Sequence, residues 1–344
     1  MNRSLGEWAR SGKWRIVAGW TLAALLVLVV AVYAVRALRQ ESGPVRLAVY
    51  GFSTQEEAFT QGIFPAFEKK WEGETGRDLT LEGVFGASGT LAGQINLGAP
   101  ADIAVFSNAE HVNWLKVGGR VKRDSEPVIF GCTPIVIAVR PGNPMQIASY
   151  ADLARPGIVL LHASPRSSGA GEWGVLAEYG SAYLPTQDQA SGKAQLQSIW
   201  RNVRVMPASA RAAMSLFDLG AGDALVTYEQ DTLLAQQSGA DLELVTPPRT
   251  IVAQHAAVIV DDNLARAEQP AAVAFLSFLV SPDGQEILAG YHLRPASCKS
   301  EGFAALVEPF SVDQLGGWSK AYEELVEDVW QTSIEPSLTL EPVP

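Results

Sequence analysis

Cysteine is nearly absent from this chain. Cys132 and Cys298 are the only two, and with no Cys-x-x-Cys pair they cannot build a multi-cysteine metal site. Histidine is scarce as well. His111, His162, His255 and His292 stand far apart without ligand spacing, so they read as packing or surface residues, and no metal or cofactor is expected. Basic runs are missing: 26 Lys and Arg face 37 Asp and Glu, a net charge of −11, which argues against a nucleic-acid partner. No stretch carries the Gly-Lys-Ser/Thr ending of a nucleotide phosphate loop. Internal repeats and low-complexity tracts are absent too.

What is present divides sharply along the chain. Six basic side chains and one acid fall within residues 1–39, leaving 20 basic against 36 acidic residues, a net −16, in the remainder. Residues 1–15 are polar and basic. Ile16 to Val35 is then an uncharged, largely apolar run of 20 residues. At 1.5 Å per residue it can span a bilayer core of about 30 Å. Ala34-Val35-Arg36-Ala37 is a poor cleavage site, and no cysteine follows for lipid attachment. Residues 16–38 are therefore expected to be an uncleaved transmembrane signal anchor, with 1–15 cytoplasmic, 39–44 a linker and the large domain outside.

From residue 45 onward strands and helices alternate, and 344 residues with 47% hydrophobic content allow two packed lobes. Strands are predicted over Val45–Tyr50, Leu79–Phe85, Ala101–Phe106, Ile135–Val139, Gly157–His162, Val203–Met206, Asp223–Thr227, Leu242–Thr246 and Ala256–Val260. Ser53/Glu56 and Thr54/Glu57 form overlapping capping-box patterns at a helix start. Phe59, Ile63, Phe67 and Trp71 then recur at helical spacing. Further helices are predicted over Leu91–Leu97, Val175–Tyr179, about 269–289 and 310–330. Such alternation implies mostly parallel sheets covered by helices.

Ligands of such sheets bind at the carboxyl ends of strands, where helices begin. Ser53, Ser88 and Ser168 all fall there. Ser168 belongs to the loop Ser164-Pro165-Arg166-Ser167-Ser168-Gly169-Ala170-Gly171-Glu172-Trp173, whose small residues let an anion approach unpaired backbone N–H groups. The chain's long-range field repels an anion, but screening beyond about 8 Å lets short-range dipoles hold one. Each serine taken singly could instead be an ordinary N-cap. A serine hydrolase is a second alternative. Gly86-Ala87-Ser88-Gly89-Thr90 fails the last glycine of a nucleophile elbow, and no histidine is marked by sequence as its base. A sensor ectodomain is a third, disfavoured by the few residues ahead of the apolar run.

The order of motifs resembles the periplasmic sulfate- and thiosulfate-binding proteins of ATP-binding-cassette importers. The resemblance covers about 45–330. It is carried by Val139-Arg140-Pro141-Gly142-Asn143-Pro144, Arg155-Pro156-Gly157, Ser167 to Trp173, Gly222 to Glu229, Ser281 to Glu286 and Leu315-Gly316-Gly317-Trp318. It implies a two-lobed α/β fold of the periplasmic-binding-protein type II class, with lobe 1 at 45–133 plus 247–344 and lobe 2 at 134–246. It also implies a non-enzymatic receptor that passes an oxyanion to a membrane permease. In that family the anion is held by neutral donors. Carried over residue by residue, these are Ser88, Ser168, Gly169, Ala170, Ala210 with the adjoining Arg211, and Tyr228 where the family has an indole. Ser53 and Thr54 stand near a usual aspartate, and Glu172 stands where arginine is usual. Ser53, Ser88, Ala210 and Tyr228 also resemble molybdate- and tungstate-binding receptors, which leaves that ligand class as the alternative. In the oxidising space outside the membrane Cys132 and Cys298 can form a disulfide, and two free thiols are equally compatible with the sequence.

Overall fold

The computed structural model describes residues 20–21, 25–29, 43–300 and 302–340. Of the expected transmembrane segment 16–38, residues 20–21 and 25–29 are helical, and the rest lies outside the described residues, as do 1–15 and 39–42. Among the described residues no helix is long and apolar enough to cross a membrane.

Among the described residues ten strands lie in the order β2-β1-β3-β9-β4-β7-β5-β6, with β10 (Glu308–Phe310) beside β9 and β8 beside β4. The first lobe holds β1 (Val45–Phe52), β2 (Leu79–Gly86) and β3 (Ile103–Phe106). The second holds β5 (Leu160–His162), β6 (Val203–Val205), β7 (Ala224–Tyr228) and β8 (Glu243–Val245). Two long strands, β4 (Val128–Val139) and β9 (Arg249–Ile259), join them. β4 pairs with β9 up to Pro134 and with β7 from Ile135, so it changes partner at a proline, which lacks an N–H for a ladder. β1 pairs in parallel with β2 and β3, and β5 with β6 and β7. The joining strands pair antiparallel with β3, β7, β8 and each other. The sheets are therefore mixed, because strands that pass out of one lobe and return run against the parallel set.

Burial explains the strands. Val45, Leu47 and Val49 alternate inward along β1, while β3 is buried at every position because helices cover both of its faces. Phe59, Phe64 and Phe67 gather against Phe275 with ring centroids 5.3–6.3 Å apart, and Ile63 and Trp71 are buried with them, so the periodic face Phe59, Ile63, Phe67 and Trp71 belongs to the core.

Several elements depart from expectation. The capping boxes at Ser53 and Thr54 do not form: Phe52 occupies the cap position, and Ser53–Gln55 is a short 3-10 turn without a side-chain cap. The helical stretch 269–289 breaks into α8 (Gln269–Leu279) and α9 (Pro282–Gly290). The residue before a proline resists helical geometry, and Ser281 caps the new start through the Gly284 N–H at 3.2 Å. A helix missed by the sequence, α5 (Gln189–Trp200), begins at Asp188, whose carboxylate accepts from the Ala190 and Ser191 N–H groups.

The segment expected as one helix from 310 contains β10 (Glu308–Phe310) and a capped turn. Gly316 and Gly317, with φ of 98° and 84°, then interrupt the chain before a helix runs from Trp318 to Ile334, mostly with π geometry. It was expected on lobe 1, as part of 247–344. Instead Trp318 packs on Trp173 and Trp330 on Trp200 of the second lobe, and Arg166 pairs with Glu335 at 2.5 Å. Tyr322 still touches Trp114 of the first lobe, so the segment straps both. Cys132 and Cys298 are bonded, with Cα atoms 5.3 Å apart, inside the range of about 4.4–6.8 Å that a bridge requires.

Candidate functional site

Helix starts from both lobes meet at one place. From the first lobe come the turn at Ser53 and α2 (Ser88–Asn96). From the second come α4 (Gly169–Thr186), α6 (Ala210–Asp218) and α7 (Glu229–Gln237). Between them lies a cavity of about 10 Å³ lined by Ser53, Ser88, Ser168, Gly169, Ala170, Ala210 and Tyr228, together with Phe52, Gly86, Ala87 and Ser107. That is far below the roughly 300–1,000 Å³ of pockets for drug-sized ligands. Seven of the nine residues expected from sequence thus lie together.

The starts of α2 and α4 carry no side-chain cap bond, whereas α6 is capped by Ser209 through the Ala212 N–H. The first N–H groups of a helix have no intrahelical acceptor, and the macrodipole places partial positive charge beside them. Ser168 occupies the cap position of α4, yet its side chain makes no cap bond. Ser88 is the first residue of α2 rather than its cap, and Ala87 takes the cap position. The Ser107 hydroxyl and the Tyr228 phenol are both buried, and neither has a bonding partner besides the other. Burial pushes the Tyr228 pKa far upward, so the phenol stays protonated and able to donate. No Lys, Arg, Asp or Glu lines the cavity.

Two expected residues stand outside the wall. Arg211 turns away: its Nε donates to the Ser53 carbonyl at 3.0 Å and its Nη1 to Glu57 Oε1 at 3.2 Å. The carboxylates of Glu56 and Glu57 across the cleft draw it there, so it bridges the lobes instead of facing the cavity. Thr54 is buried beside Asp231. Burial pushes that carboxyl up to about 6, while the Thr54 and Thr227 hydroxyls oppose the rise.

Direct bonds close the lobes over the cavity. Gly89 N–H donates to the Ser167 carbonyl and Trp173 Nε1–H to the Ser107 carbonyl, each at 2.9 Å. Gln55 bonds Gln230 at 2.6 Å. Glu172 is wholly buried. Its Oε2 accepts from Asn108 at 2.6 Å, and its Oε1 lies 3.1 Å from His111 Nε2. His111 Nδ1 is 2.9 Å from Ser88 Oγ, so a histidine does stand where the sequence marked no base. His162 and His255 are also fully buried. Ser107, Asn108 and His111 escaped the sequence reading, although the carboxyl end of β3 marks that loop by the same rule that picked out the others.

A pair of α/β lobes closed on a small cavity of neutral donors defines a two-lobed ligand receptor. The chain belongs to the family of bacterial extracellular solute-binding proteins, which it matches over residues 47–294. It is 33% identical over 274 residues to the sulfate-binding protein of Escherichia coli K12, covering 75% of this chain and 83% of that one. To the thiosulfate-binding protein of Pseudomonas aeruginosa it is 29% identical, covering 74% and 81%. The solved structure of the sulfate-binding protein SubI from Mycobacterium tuberculosis superposes with a TM-score of 0.75 at 26% identity, covering 82% of this chain and 99% of that one.

Proposed function

We propose that this protein captures a fully ionised tetrahedral oxyanion, sulfate or thiosulfate, outside the cytoplasm. It then delivers the anion to the membrane permease of an ATP-binding-cassette importer. The observation that carries this reading is a cavity walled by helix starts and hydroxyls, without a charged side chain. Ser53, Ser88, Ser168, Ser107 and Tyr228 supply O–H donors, and Gly169, Ala170 and Ala210 supply backbone N–H donors. Arg211 and Thr54 act from behind this wall, Arg211 by latching the lobes. A site made of donors favours a fully ionised anion over phosphate, whose remaining proton needs an acceptor.

The relatives named above are binding proteins, which supports a receptor rather than an enzyme. Ser88 is absent from the residues with positive φ, so it lacks the strained backbone of a nucleophile elbow. On this reading the chain exchanges lobes at 133/134 and near 247, and residues 16–38 hold the domain at the membrane. Detergent-dependent extraction of the full-length protein checks that anchor.

Tyr228 in place of an indole keeps molybdate or tungstate as the second reading. Titration calorimetry with sulfate, thiosulfate, molybdate, tungstate and phosphate separates these. Tight sulfate or thiosulfate binding is expected; tight binding of phosphate alone contradicts the reading.

A further inference from the structure

Ser88 Oγ has three neighbours to satisfy and one proton to give. It accepts from the Ser107 N–H at 3.1 Å, it lies 2.9 Å from His111 Nδ1, and it lines the cavity. The direction of its bond to His111 is set further out. Asn108 Oδ1 accepts the His111 backbone N–H at 3.1 Å, which turns its amide NH2 towards Glu172 Oε2. Glu172 Oε1 then faces His111 Nε2 at 3.1 Å.

With Glu172 ionised and His111 neutral, the imidazole proton sits on Nε2 and donates to the carboxylate. Nδ1 is then a bare acceptor that takes the Ser88 proton, and Ser88 presents only a lone pair to the cavity. One added proton reverses this, whether it makes His111 an imidazolium or resides on Glu172 Oε1. Nδ1–H now donates to Ser88, both serine lone pairs are occupied, and the hydroxyl proton is released into the cavity.

We propose that the buried His111–Glu172 pair is a proton switch that decides whether Ser88 repels or donates to the bound anion, so that the oxyanion is captured together with one proton. This rests on the anion-binding reading of the cavity. His111 and Glu172 are positioning residues, acting through Ser88. The pair is sealed from solvent, with both side chains fully buried, so the proton it gains is not replaced by water contacts. The titratable groups facing it are Glu110 on its own helix, Tyr322 on the C-terminal helix and Tyr228 at the start of α7. Burial keeps both phenols neutral, and burial likewise raises the Glu110 carboxyl.

The test is calorimetry of the full chain with sulfate, from about pH 5.5 to about 8.5, in buffers of different ionisation enthalpy. Sulfate itself does not titrate in that span. The expected result is uptake of up to one proton per anion and an affinity that falls by up to about tenfold per pH unit on the alkaline side. Glu172→Gln keeps an acceptor for Asn108 and puts an amide donor on His111 Nε2, which fixes Nδ1–H; its affinity should be flat with pH. Asp231 titrates near pH 6 and remains in that variant, so a slope that survives Glu172→Gln assigns the proton elsewhere and overturns the proposal. Sulfate binding that is flat with pH and free of proton uptake in the unaltered chain overturns it while leaving the anion-binding reading intact. If Glu172→Gln does not fold, the proton count of the unaltered chain decides. Absence of binding by any oxyanion at any pH removes both.

Discussion

Ser281 caps a helix away from the cavity, its hydroxyl accepting from the Gly284 N–H at 3.2 Å. Ser88 and Ser168 also sit at helix starts and make no such bond. A cap contributes about 1 kcal/mol to a helix. The helices that begin at Ser88 and Ser168 do without that contribution, and the two serines line the cavity instead, whereas α6 keeps its cap from Ser209 although Ala210 lines the same wall. Away from the cavity the same residue type stabilises the fold. The comparison separates binding from stability within one residue type, and variants can break it.

The largest effect should come from Gly169→Ala. A Cβ there overlaps the Ser107 hydroxyl of the opposite lobe, so the lobes cannot close as they do here. Overpacking a fitted contact costs about 3 kcal/mol or more at this severity, and the loss should appear in anion affinity measured by calorimetry. Replacing Cys132 and Cys298 with alanine should act on stability instead. The bridge closes a loop spanning 166 positions, and its loss is expected to cost about 2–4 kcal/mol in denaturant unfolding, with binding by the folded fraction unchanged.

Ser168→Ala and Ser281→Ala sharpen the comparison directly. The first should lose about 1–3 kcal/mol of anion affinity with little change in unfolding midpoint, as for a donor to a charged group. The second should lose about 1 kcal/mol of stability with affinity unchanged. Equal behaviour of the two would erase the distinction.

The smallest net effect is expected in the pH dependence of stability. Burial lowers His255 to about 4, so the unfolded state binds the extra proton and stability falls on acidification from about pH 6.5 to 4. Burial raises Asp231 to about 6, so over roughly pH 4 to 6 the folded state binds the extra proton and stability rises on acidification. The two offset. In Asp231→Asn the histidine is no longer offset by that carboxyl, and the melting temperature should rise more steeply between about pH 4 and 6.5 than in the unaltered chain.

Much of the site was legible because the residues that build it lie in short stretches after strands: Ser53 after β1, Ser88 after β2, Ser168 after β5 and Ala210 after β6. Local sequence reports such junctions. It does not report which charges face each other after folding. Arg211 looked like an anion contact until the carboxylates of Glu56 and Glu57 were seen across the cleft. His111 and Glu172 are 61 positions apart, and only closure of the two lobes makes them a pair. The C-terminal helix misled for a similar reason. Its amphipathic pattern gives an apolar face, but the tryptophan sockets at Trp173 and Trp200 decide which lobe receives it. Motifs that carried the resemblance also serve the scaffold. Arg140 donates to the carbonyls of Phe217, Ala221 and Gly222, tying off the end of α6 rather than touching the cavity.

The most direct measurement is a crystal structure of the protein soaked with selenate, an isostere of sulfate whose selenium is located by its anomalous scattering. The expected result is one strong peak inside the cavity between the lobes. Its oxygens should lie within hydrogen-bond distance of Ser88 Oγ, Ser168 Oγ and the Gly169 and Ala170 N–H groups. A peak bound only at surface basic residues, with the cavity holding no selenium, would contradict the assignment of this site.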